Sequence, residues 1–400
     1  MLRRWYLWFS TLALVGCATP APPEVCASLT ETPSDDPAAW TVDTGVAWVP
    51  SVSEPAWIVP GEGLPVQPQA ANNNVAIALA GGRTFVAWRS APTHFASAET
   101  ELHVMSSATG GAPWDHEATF SVGADVREPA FLVRDGVLSL SFFEAGSNPF
   151  AFEPHAVWRA ERCGLGQWTA ETISEGEKVP WDVKVRAGLA LRTAYSGDHY
   201  GDGKLSMHLE TSVDQGRSWA PLGADPVSMG GDSEAAFEIA RDGSLWAVTR
   251  NEDGDTTGKG SKVCTAPADD WSAWTCPTVS DPERYDSPEL LRHGNDLYLL
   301  ARRDVGGPYG QDEGMAPYSS RPKRSALYRI DPDTRAVVWV QDIPGVGDTS
   351  FPSAWRTGEH AWTFANYTSP LDDPDRSWLA AQTSPDGTQL YLAELTFAPE

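Results

Sequence analysis

The sequence predicts an all-β protein, a six-bladed β-propeller, and three observations support this. A unit recurs six times at intervals of about 50 to 62 residues, and each copy has a small or acidic opener, an apolar run, a turn, a second apolar run and a polar end. Repeats of this length, built from short β-rich runs, are typical of propeller blades. The chain has 18 tryptophans, 35 glycines and 32 prolines, which suits many short strands and turns. After the N-terminus no long apolar stretch has a helical period.

Each copy predicts an inner strand followed by the strand that pairs with it in a hairpin. The six copies run from Asn72 to Arg89, Asp125 to Glu144, Trp181 to Tyr195, Asp232 to Arg250, Asp286 to Arg302, and Asp348 to Tyr367. We expect residues 40–400 to form this propeller as one domain. Because one propeller scaffold supports many chemistries, the repeat predicts the fold and leaves the function open.

The N-terminus has the pattern of an export signal over residues 1–16. Arg3 and Arg4 precede an apolar run that ends at Val15, which is too short to span a bilayer and is typical of a signal peptide. The run ends in Leu14-Val15-Gly16-Cys17, which resembles the lipobox of bacterial lipoproteins. This resemblance implies that Cys17 is acylated and becomes the first residue after cleavage. The alternative is an ordinary signal peptide with a chance cysteine.

The residue after that cysteine is Ala18, which in Gram-negative lipoproteins implies the outer membrane. Residues 17–39 are rich in proline, serine, threonine and acidic residues, and we expect them to form a flexible tether. The sequence therefore predicts a monomer that is held at the bacterial cell envelope through a lipid anchor.

Charge and composition exclude several function classes. The formal net charge is −25, so the surface repels nucleic acid, whose binding requires lysine and arginine to neutralise phosphate. The eight histidines form no HExxH or HxH pair, and the cysteines form no CxxC motif. We expect neither a metal ion nor a cofactor.

The remaining cysteines point to disulfide bonds, because export implies an oxidising compartment. Cys264 and Cys276 are close in sequence and flank two tryptophans, so we expect them to close a blade hairpin. Cys26 and Cys163 could form a second pair, but the sequence leaves this open.

A turn motif in the third repeat identifies the kind of propeller. Ser212, Asp214, Gly216 and Trp219 match the pattern S-x-D-x-G-x-[ST]-W. An aspartate in a tight turn accepts backbone N–H groups, glycine allows positive φ, and the tryptophan packs beneath the hairpin. This pattern resembles the Asp box of the sialidase-like propellers, in which it is structural and lies away from the ligand pocket.

The resemblance covers roughly residues 70 to 395 and implies a site in the fourth repeat. The segment from Glu234 to Arg250 is similar to the sialidase segment that carries a pocket glutamate and an arginine. In that family the glutamate polarises a tyrosine nucleophile, and the arginine is one of three that hold the substrate carboxylate. Arg324 is a looser match to another of these arginines.

The chain departs from the family at three other positions. The first blade opens with Asn72-Asn73-Asn74-Val75 in place of an arginine followed by Ile-Pro. The position of the family's general acid falls at about Arg89, and Ser350 and Phe351 stand where the tyrosine nucleophile is expected. Tyr367 ends a strand and could supply a phenol from another position. We therefore expect a carbohydrate-active propeller that is not a true sialidase.

Charged residues recur where the openers and the second-strand ends converge on the central channel. We expect a site for an anionic or polyhydroxylated saccharide there. The candidate catalytic residues are Glu234, Asp182 and Tyr367, and the candidate ligand-binding residues are Arg89, Arg127, Arg250, Arg302, Arg324 and Asp286. The competing interpretation is that these charges form ion pairs between the blades.

Three hypotheses for the function follow. The first is a glycoside hydrolase-like or otherwise carbohydrate-active enzyme, which requires two carboxylates facing one cavity. The second is a propeller that binds glycans without catalysis, and the third is an interaction scaffold of the cell envelope. A scaffold would pair all of its channel charges with one another.

Overall fold

Each repeat of the sequence forms one blade. The structure is a computed structural model that describes residues 26, 29, 34–174, 178–197, 204–223, 225–307 and 315–400. Six antiparallel sheets form a six-bladed β-propeller, which confirms the predicted fold class. The predicted signal peptide, Cys17 and most of the tether lie outside the described residues and stay predictions.

The first three blades contain the strands from β3 to β15. Blade 1 consists of β3 (Ala71–Ala80), β4 (Arg83–Ala91), β5 (Glu101–Ser107) and β6 (Asp115–Phe120). Blade 2 consists of β7 (Val126–Arg134), β8 (Val137–Glu144), β9 (Val157–Gly164) and β10 (Gln167–Ser174). Blade 3 consists of β11 (Val179–Arg186), β12 (Leu189–Ser196), β13 (Ser206–Ser212), β14 (Ala220–Pro221) and β15 (Ser228–Met229).

The last three blades complete the ring. Blade 4 consists of β16 (Asp232–Ile239), β17 (Leu245–Asn251) and β18 (Lys262–Ala266). Blade 5 consists of β19 (Asp286–His293), β20 (Asp296–Asp304), β21 (Lys323–Ile330) and β22 (Val337–Val346). Blade 6 consists of β23 (Ser353–Gly358), β24 (Ala361–Thr368) and β25 (Gln389–Pro399), together with the N-terminal strands β1 (Trp48–Val52) and β2 (Ala56–Val59).

Blade 6 is built from both ends of the chain. β1 and β2 each pair with β25, with Trp48 opposite Pro399 and Ala56 opposite Leu392. This arrangement closes the ring and covers the edge of the last sheet, which would otherwise expose unpaired backbone groups.

Apolar side chains pack between neighbouring blades. Leu191 and Leu209 of blade 3, for example, share a buried cluster with Phe237 of blade 4. Inner strands are buried on both faces, whereas outer strands such as β10 are mostly exposed. The recurring apolar runs of the sequence thus become the layers that hold the blades together.

The segment that precedes β1 contacts the end of the propeller at which the first hairpin of each blade turns. Cys26 forms a disulfide with Cys163, and the Leu29 amide donates to the carbonyl of Gly136 at 2.7 Å. Asp35 lies 3.1 Å from Arg186, and a short 3-10 helix follows at Pro37–Ala39. The part of the predicted tether that the structure describes is therefore bound to blades 2 and 3.

Cys264 and Cys276 form the second disulfide, as predicted. It ties β18 to a segment in which Thr275 pairs with Thr265 in an antiparallel bridge. The bond therefore extends the three-stranded sheet of blade 4 towards a fourth strand.

The Ser212–Trp219 segment forms a tight turn between β13 and β14. Asp214 accepts hydrogen bonds from the Ser218 amide at 2.8 Å and the Ser212 hydroxyl at 2.9 Å. Gly216 has a φ of 83°, and the Trp219 indole donates to its carbonyl at 3.2 Å. The turn lies at the end of β13 remote from the openers, where it stabilises the blade.

Helices are minor elements of the described chain. α1 spans Met315–Ser319 and α2 spans Trp378–Gln382. Within the part of the chain that the structure describes, no helix is long and apolar enough to cross a membrane.

Candidate functional site

The openers and the second-strand ends meet at one end of the central channel, which we call the channel mouth. The strands of each hairpin are antiparallel, so the first residue of the inner strand lies beside the last residue of its partner. Asp286 pairs in this way with Arg302, and Val179 pairs with Tyr195. The channel mouth therefore collects polar residues from all six blades, as the repeat pattern predicted.

Glu234 and Arg250 form an ion pair at the channel mouth. The Arg250 guanidinium also lies 2.6 Å from a carboxylate oxygen of Glu252 and 3.4 Å from one of Asp286. Ser287 of blade 5 donates its amide to Glu234 at 2.7 Å. Both residues of the predicted pair are more than 90% buried. Arg250 is thus held by three carboxylates and is not presented as an open clamp for a ligand carboxylate.

Asp286 and Arg302 belong to the same polar network. Asp286 is fully buried and accepts hydrogen bonds from Arg284 at 2.5 Å and the Tyr318 hydroxyl at 2.7 Å. Arg302 donates to the carbonyls of Thr349 at 2.7 Å and Ser350 at 3.1 Å. These contacts join blade 5 to blade 6. They support the interpretation that some of the predicted site residues connect neighbouring blades.

Arg89 and Arg127 share the carboxylate of Asp125. Arg89 is fully buried and lies 2.6 Å from Asp125, and it also donates to the Asn73 side chain and the Phe95 carbonyl. Arg127 lies 2.5 Å from the other oxygen of Asp125, and its side chain keeps 21% exposure. Of these two predicted ligand-binding residues, only Arg127 reaches an open surface.

Tyr367 lies in the wall of the channel mouth. Its hydroxyl donates to Asp348 at 3.2 Å, and Asp348 also lies 2.6 Å from Nδ1 of His94. Burial raises the pKa of the Tyr367 phenol, and the negative charge of Asp348 adds to this effect. The surroundings of Tyr367 therefore disfavour the ionised phenolate form that a nucleophile would need.

Arg324 lies apart from the other predicted residues. It is on the third strand of blade 5, and it donates to the carbonyls of Lys323 and Pro374. Its guanidinium also lies 3.4 Å from Asp375. These contacts direct Arg324 towards the loop after β24, so the structure does not join it to Arg250.

Asp182 lies deeper in the channel than Glu234. It lies 2.7 Å from the Lys184 ammonium and accepts a hydrogen bond from the amide of Phe237. Phe237 is three residues further along β16 than Glu234. Three residues of a strand correspond to roughly 10 Å. Lys184 also contacts Glu289 at 3.1 Å, so Asp182, Lys184 and Glu289 form a separate cluster in the channel.

This channel cluster lines a cavity of about 50 Å³ between the inner strands. Asp35 also lines the cavity, from the N-terminal segment at the opposite end from the mouth. Burial raises the pKa of Glu289 to about 8, even though Lys184 favours the ionised form. Burial likewise raises the pKa of Asp182. Burial thus favours the protonated forms of both carboxyl groups in this cluster, which is remote from the mouth.

Replacement of Glu289 by glutamine is expected to flatten the pH dependence of stability. The folded-state pKa of Glu289 lies above its ordinary value of 4.5, which means that the folded protein binds this proton more tightly than the unfolded chain does. The resulting stabilisation is complete below pH 4.5, and it is lost as the pH rises towards 8. Urea denaturation at pH 5 and pH 8.5 should therefore show a smaller fall in the free energy of unfolding for the variant than for the wild type. Equal falls in both proteins would contradict the assignment, and Glu99→Gln at an exposed position is the control.

Glu128, which follows Arg127 in the opener of the second repeat, is a further carboxylic acid at the channel mouth. It is 8% exposed, has a φ of 52°, and its Oε2 atom has no hydrogen-bond partner in the described structure. Burial raises its pKa well above the ordinary value, and the charge of Glu234 raises it further, while Arg127 opposes the shift. The surroundings of Glu128 therefore favour its protonated form, close to the second carboxyl group of Glu234.

Tyr195 completes this acidic group. It is buried at the end of β12, and burial together with the charges of Glu128 and Glu234 raises the pKa of its phenol. A neutral phenol and a protonated carboxyl can both donate hydrogen bonds to hydroxyl or ether oxygens. The arrangement can therefore present proton donors to a polyhydroxylated molecule.

An open groove of about 370 Å³ lies beside the channel mouth. It is lined by Arg127 and His94 together with aromatic side chains from blade 2 and from α2, among them Phe150, Phe152 and Trp378. Phe150 is 96% exposed, although most large apolar side chains of the protein are buried. Aromatic faces of this kind can stack on sugar rings.

Among the residues that the structure describes, no group of three or more histidine, cysteine, aspartate and glutamate side chains is arranged to hold a metal ion. The acidic residues of the mouth are instead engaged with arginines and with one another.

Comparison with solved structures identifies relatives of the fold. A protein of unknown function from Dyadobacter fermentans matches with a TM-score of 0.61 and 14% identity, over 88% of this chain and 99% of that one. The Trypanosoma rangeli sialidase in complex with the inhibitor DANA matches with a TM-score of 0.55 and 15% identity, over 81% of this chain and 55% of the sialidase. The NanB sialidase from Streptococcus pneumoniae matches with a TM-score of 0.52 and 10% identity, over 84% of this chain and 70% of that one.

These matches establish the class of fold. The chain is a six-bladed β-propeller whose fold is similar to that of sialidases, and it spans about half the length of the Trypanosoma rangeli sialidase. No protein-family model and no curated protein sequence matches the chain.

Proposed function

We propose that the protein is a carbohydrate-active propeller, a glycoside hydrolase-like enzyme that acts on a polyhydroxylated saccharide. The observation that carries the proposal is Glu128, a buried carboxyl group at the channel mouth whose pKa is raised by burial and by the charge of Glu234. Glycoside hydrolysis requires one carboxylic acid that protonates the leaving oxygen and a second carboxylate that acts as base or nucleophile. Glu128 is the acid in this proposal. Glu234, which accepts hydrogen bonds from Arg250 and Ser287, is the carboxylate.

The charge balance favours a neutral saccharide over an anionic one. Glu128 interacts with two further glutamates, Glu234 and Glu252, and with two arginines, Arg127 and Arg250. Arg250 is already engaged by three carboxylates. A ligand carboxylate would have to compete with these groups, whereas sugar hydroxyls can accept from the neutral acid and donate to the carboxylates.

A panel of neutral and anionic oligosaccharides, incubated with the purified full-length protein, tests this function. We expect release of reducing ends from a neutral saccharide and none from sialosides. Release of sialic acid would contradict the charge argument. Failure to cleave any saccharide that the protein binds on a glycan array would instead support a binding protein.

Glycan binding without catalysis is the second candidate function. The groove beside the mouth favours it, because Phe150 is 96% exposed and Trp378 lies in the same lining. The sialidases matched by the fold are described with sialic acid or inhibitors bound, so a saccharide ligand is consistent with either candidate.

We further propose that the protein is anchored to the outer membrane through a lipid on Cys17. The Leu14-Val15-Gly16-Cys17 sequence and the short apolar run before it support this proposal. Two or more acyl chains on one residue give stable anchoring, whereas one chain gives marginal binding.

Replacement of Cys17 by serine is expected to move the protein from the membrane fraction to the soluble fraction. The lipid would have no attachment site, and among the described residues no helix is long and apolar enough to span a membrane. Fractionation of the expressing cells followed by immunoblotting measures the change, and Ala18→Ser, which keeps the cysteine, is the control. Retention of the Cys17 variant in the membrane fraction would exclude the anchor.

A further inference from the structure

A second chain of polar side chains lies in blade 3, outside the network already described. Ser196 Oγ lies 2.7 Å from Nε2 of His208, and Nδ1 of the same ring is hydrogen-bonded to Asp225. Ser196 is half-buried, His208 is 94% buried, and the Asp225 side chain is 35% exposed. A hydroxyl, an imidazole and a carboxylate thus form one continuous hydrogen-bonded series.

The sheet of blade 3 places these groups together. His208 on β13 lies opposite Ala194 on β12, and Ser196 follows Ala194 by two residues. Residues two apart on a strand project from the same face, so Ser196 and His208 are diagonal neighbours on that face. Asp225 reaches the ring from the segment between β14 and β15.

The carboxylate decides which nitrogen of the ring carries the proton. Asp225 accepts from Nδ1, so Nε2 is left to accept the proton of the Ser196 hydroxyl. Lys178 lies 3.4 Å from Asp225, and the hydrogen bond from His208 together with this ammonium lowers the pKa of Asp225. Asp225 is therefore set to remain a carboxylate and to orient the ring.

We propose that Ser196, His208 and Asp225 form a nucleophilic triad that hydrolyses carboxylic esters. The Ser196 oxygen attacks the acyl carbon while its proton passes to Nε2 of His208. The C–O bond to the leaving alcohol then breaks, and the alcohol oxygen takes that proton. Water attacks the acyl-serine in the same way, which releases the carboxylic acid and restores the serine.

The backbone after the nucleophile fits this role. Gly197 is exposed and has a φ of 125°, and a Cβ at this position would lie 2.4 Å from the carbonyl oxygen of Lys204. Only glycine can therefore occupy the turn that follows Ser196. In α/β-hydrolases the N–H of the residue after the nucleophile donates to the oxyanion, and Gly197 holds the corresponding position after Ser196.

Labelling with diisopropyl fluorophosphate tests the triad directly in the full-length protein. The reagent forms a bond from phosphorus to an activated serine oxygen and releases fluoride. We expect one adduct per chain, assigned to Ser196 by peptide mapping, and no adduct on the Ser196→Ala or His208→Gln variant. Ser206→Ala removes the serine paired with Ser196 across the sheet and should keep the adduct.

Hydrolysis of p-nitrophenyl acetate gives the second readout. We expect kcat/KM to fall at least about 100-fold in Ser196→Ala and His208→Gln, and to stay within about twofold in Ser206→Ala. Asp225→Asn should lower kcat with little change in KM, and Asp225→Glu should restore part of the rate. A merely structural role for Asp225 would not produce this split.

Absence of an adduct on Ser196 in a protein with a normal melting transition would overturn the proposal. Ester hydrolysis that survives Ser196→Ala would overturn it as well. The saccharide assays are a separate readout, because the triad lies outside the Glu128 and Glu234 network. Failure of one activity therefore leaves the other interpretable.

Discussion

Replacement of Glu128 by glutamine is expected to lower kcat for saccharide hydrolysis by about 100- to 10,000-fold, the usual contribution of a general acid. Glutamine keeps the shape of the side chain but cannot donate a carboxyl proton. The structure predicts an acid at this position because burial and the charge of Glu234 raise the pKa of the Glu128 carboxyl group. Steady-state kinetics on the saccharide identified by the panel measure the effect.

The leaving group provides a sharper test of the same residue. A dinitrophenyl glycoside needs no proton on its leaving oxygen. The Glu128→Gln variant should therefore lose much less activity, relative to the wild type, on this glycoside than on the natural saccharide. Equal losses on both substrates would show that Glu128 is not the acid. Glu144→Gln, at the end of β8 in the same blade, is the matched control.

The pH profile should agree with this assignment. A general acid acts in its protonated form, so wild-type kcat should fall as the pH rises through the raised pKa of Glu128. The Glu128→Gln variant should lose that limb of the profile. A falling limb that persists in the variant would assign the titration to another group.

Replacement of Arg186 by methionine is expected to lower the free energy of unfolding by about 3–5 kcal/mol, because it leaves buried carboxylates without their cation. Arg186 is 1% exposed and donates two hydrogen bonds to the fully buried Glu238, at 2.7 and 2.9 Å. It also lies 3.1 Å from Asp35 of the N-terminal segment. Methionine retains most of the apolar stem, so the change mainly removes the charge.

Urea denaturation measures this loss, and an exposed arginine provides the control. Arg217 pairs with Glu161 but keeps 44% exposure of its side chain. Pairs at exposed positions contribute about 0–1 kcal/mol, so Arg217→Met should change stability little. If Arg186→Met lowered the free energy of unfolding by less than about 1 kcal/mol, the charge of Arg186 would not be what holds the N-terminal segment to blade 3.

The fold could be predicted because the sequence pattern of one blade occurs six times. The period, the turns and the apolar runs depend on local patterns, and each opener stands at or near the start of an inner strand. The N-terminal strands of blade 6 were not predicted, because Trp48 pairs with Pro399 at the other end of the chain. No local pattern in β1 identifies so distant a partner.

The site was predicted less completely because the role of a charge depends on its neighbours. Arg250 was expected to hold a ligand, yet Glu252 lies two residues further along the chain, just past the end of β17, and contacts it at 2.6 Å. Residues two apart in an extended segment project to the same side, so this spacing favours an ion pair. Asp182 and Lys184 have the same spacing and the same outcome. The burial that raises the pKa of Glu128 arises from several blades, and no local pattern in the sequence indicates it.

The order in which the strands are synthesised determines when blade 6 can close. Synthesis proceeds from the N-terminus, so β1 and β2 are made first and their partner β25 is made last. Until β25 arrives, these early strands present unpaired backbone edges that can associate with other chains. Pairing across such a sequence distance is also slow, because the entropy of closing the loop opposes it. Completion of the last strand therefore ends the period in which the newborn chain is most prone to aggregate.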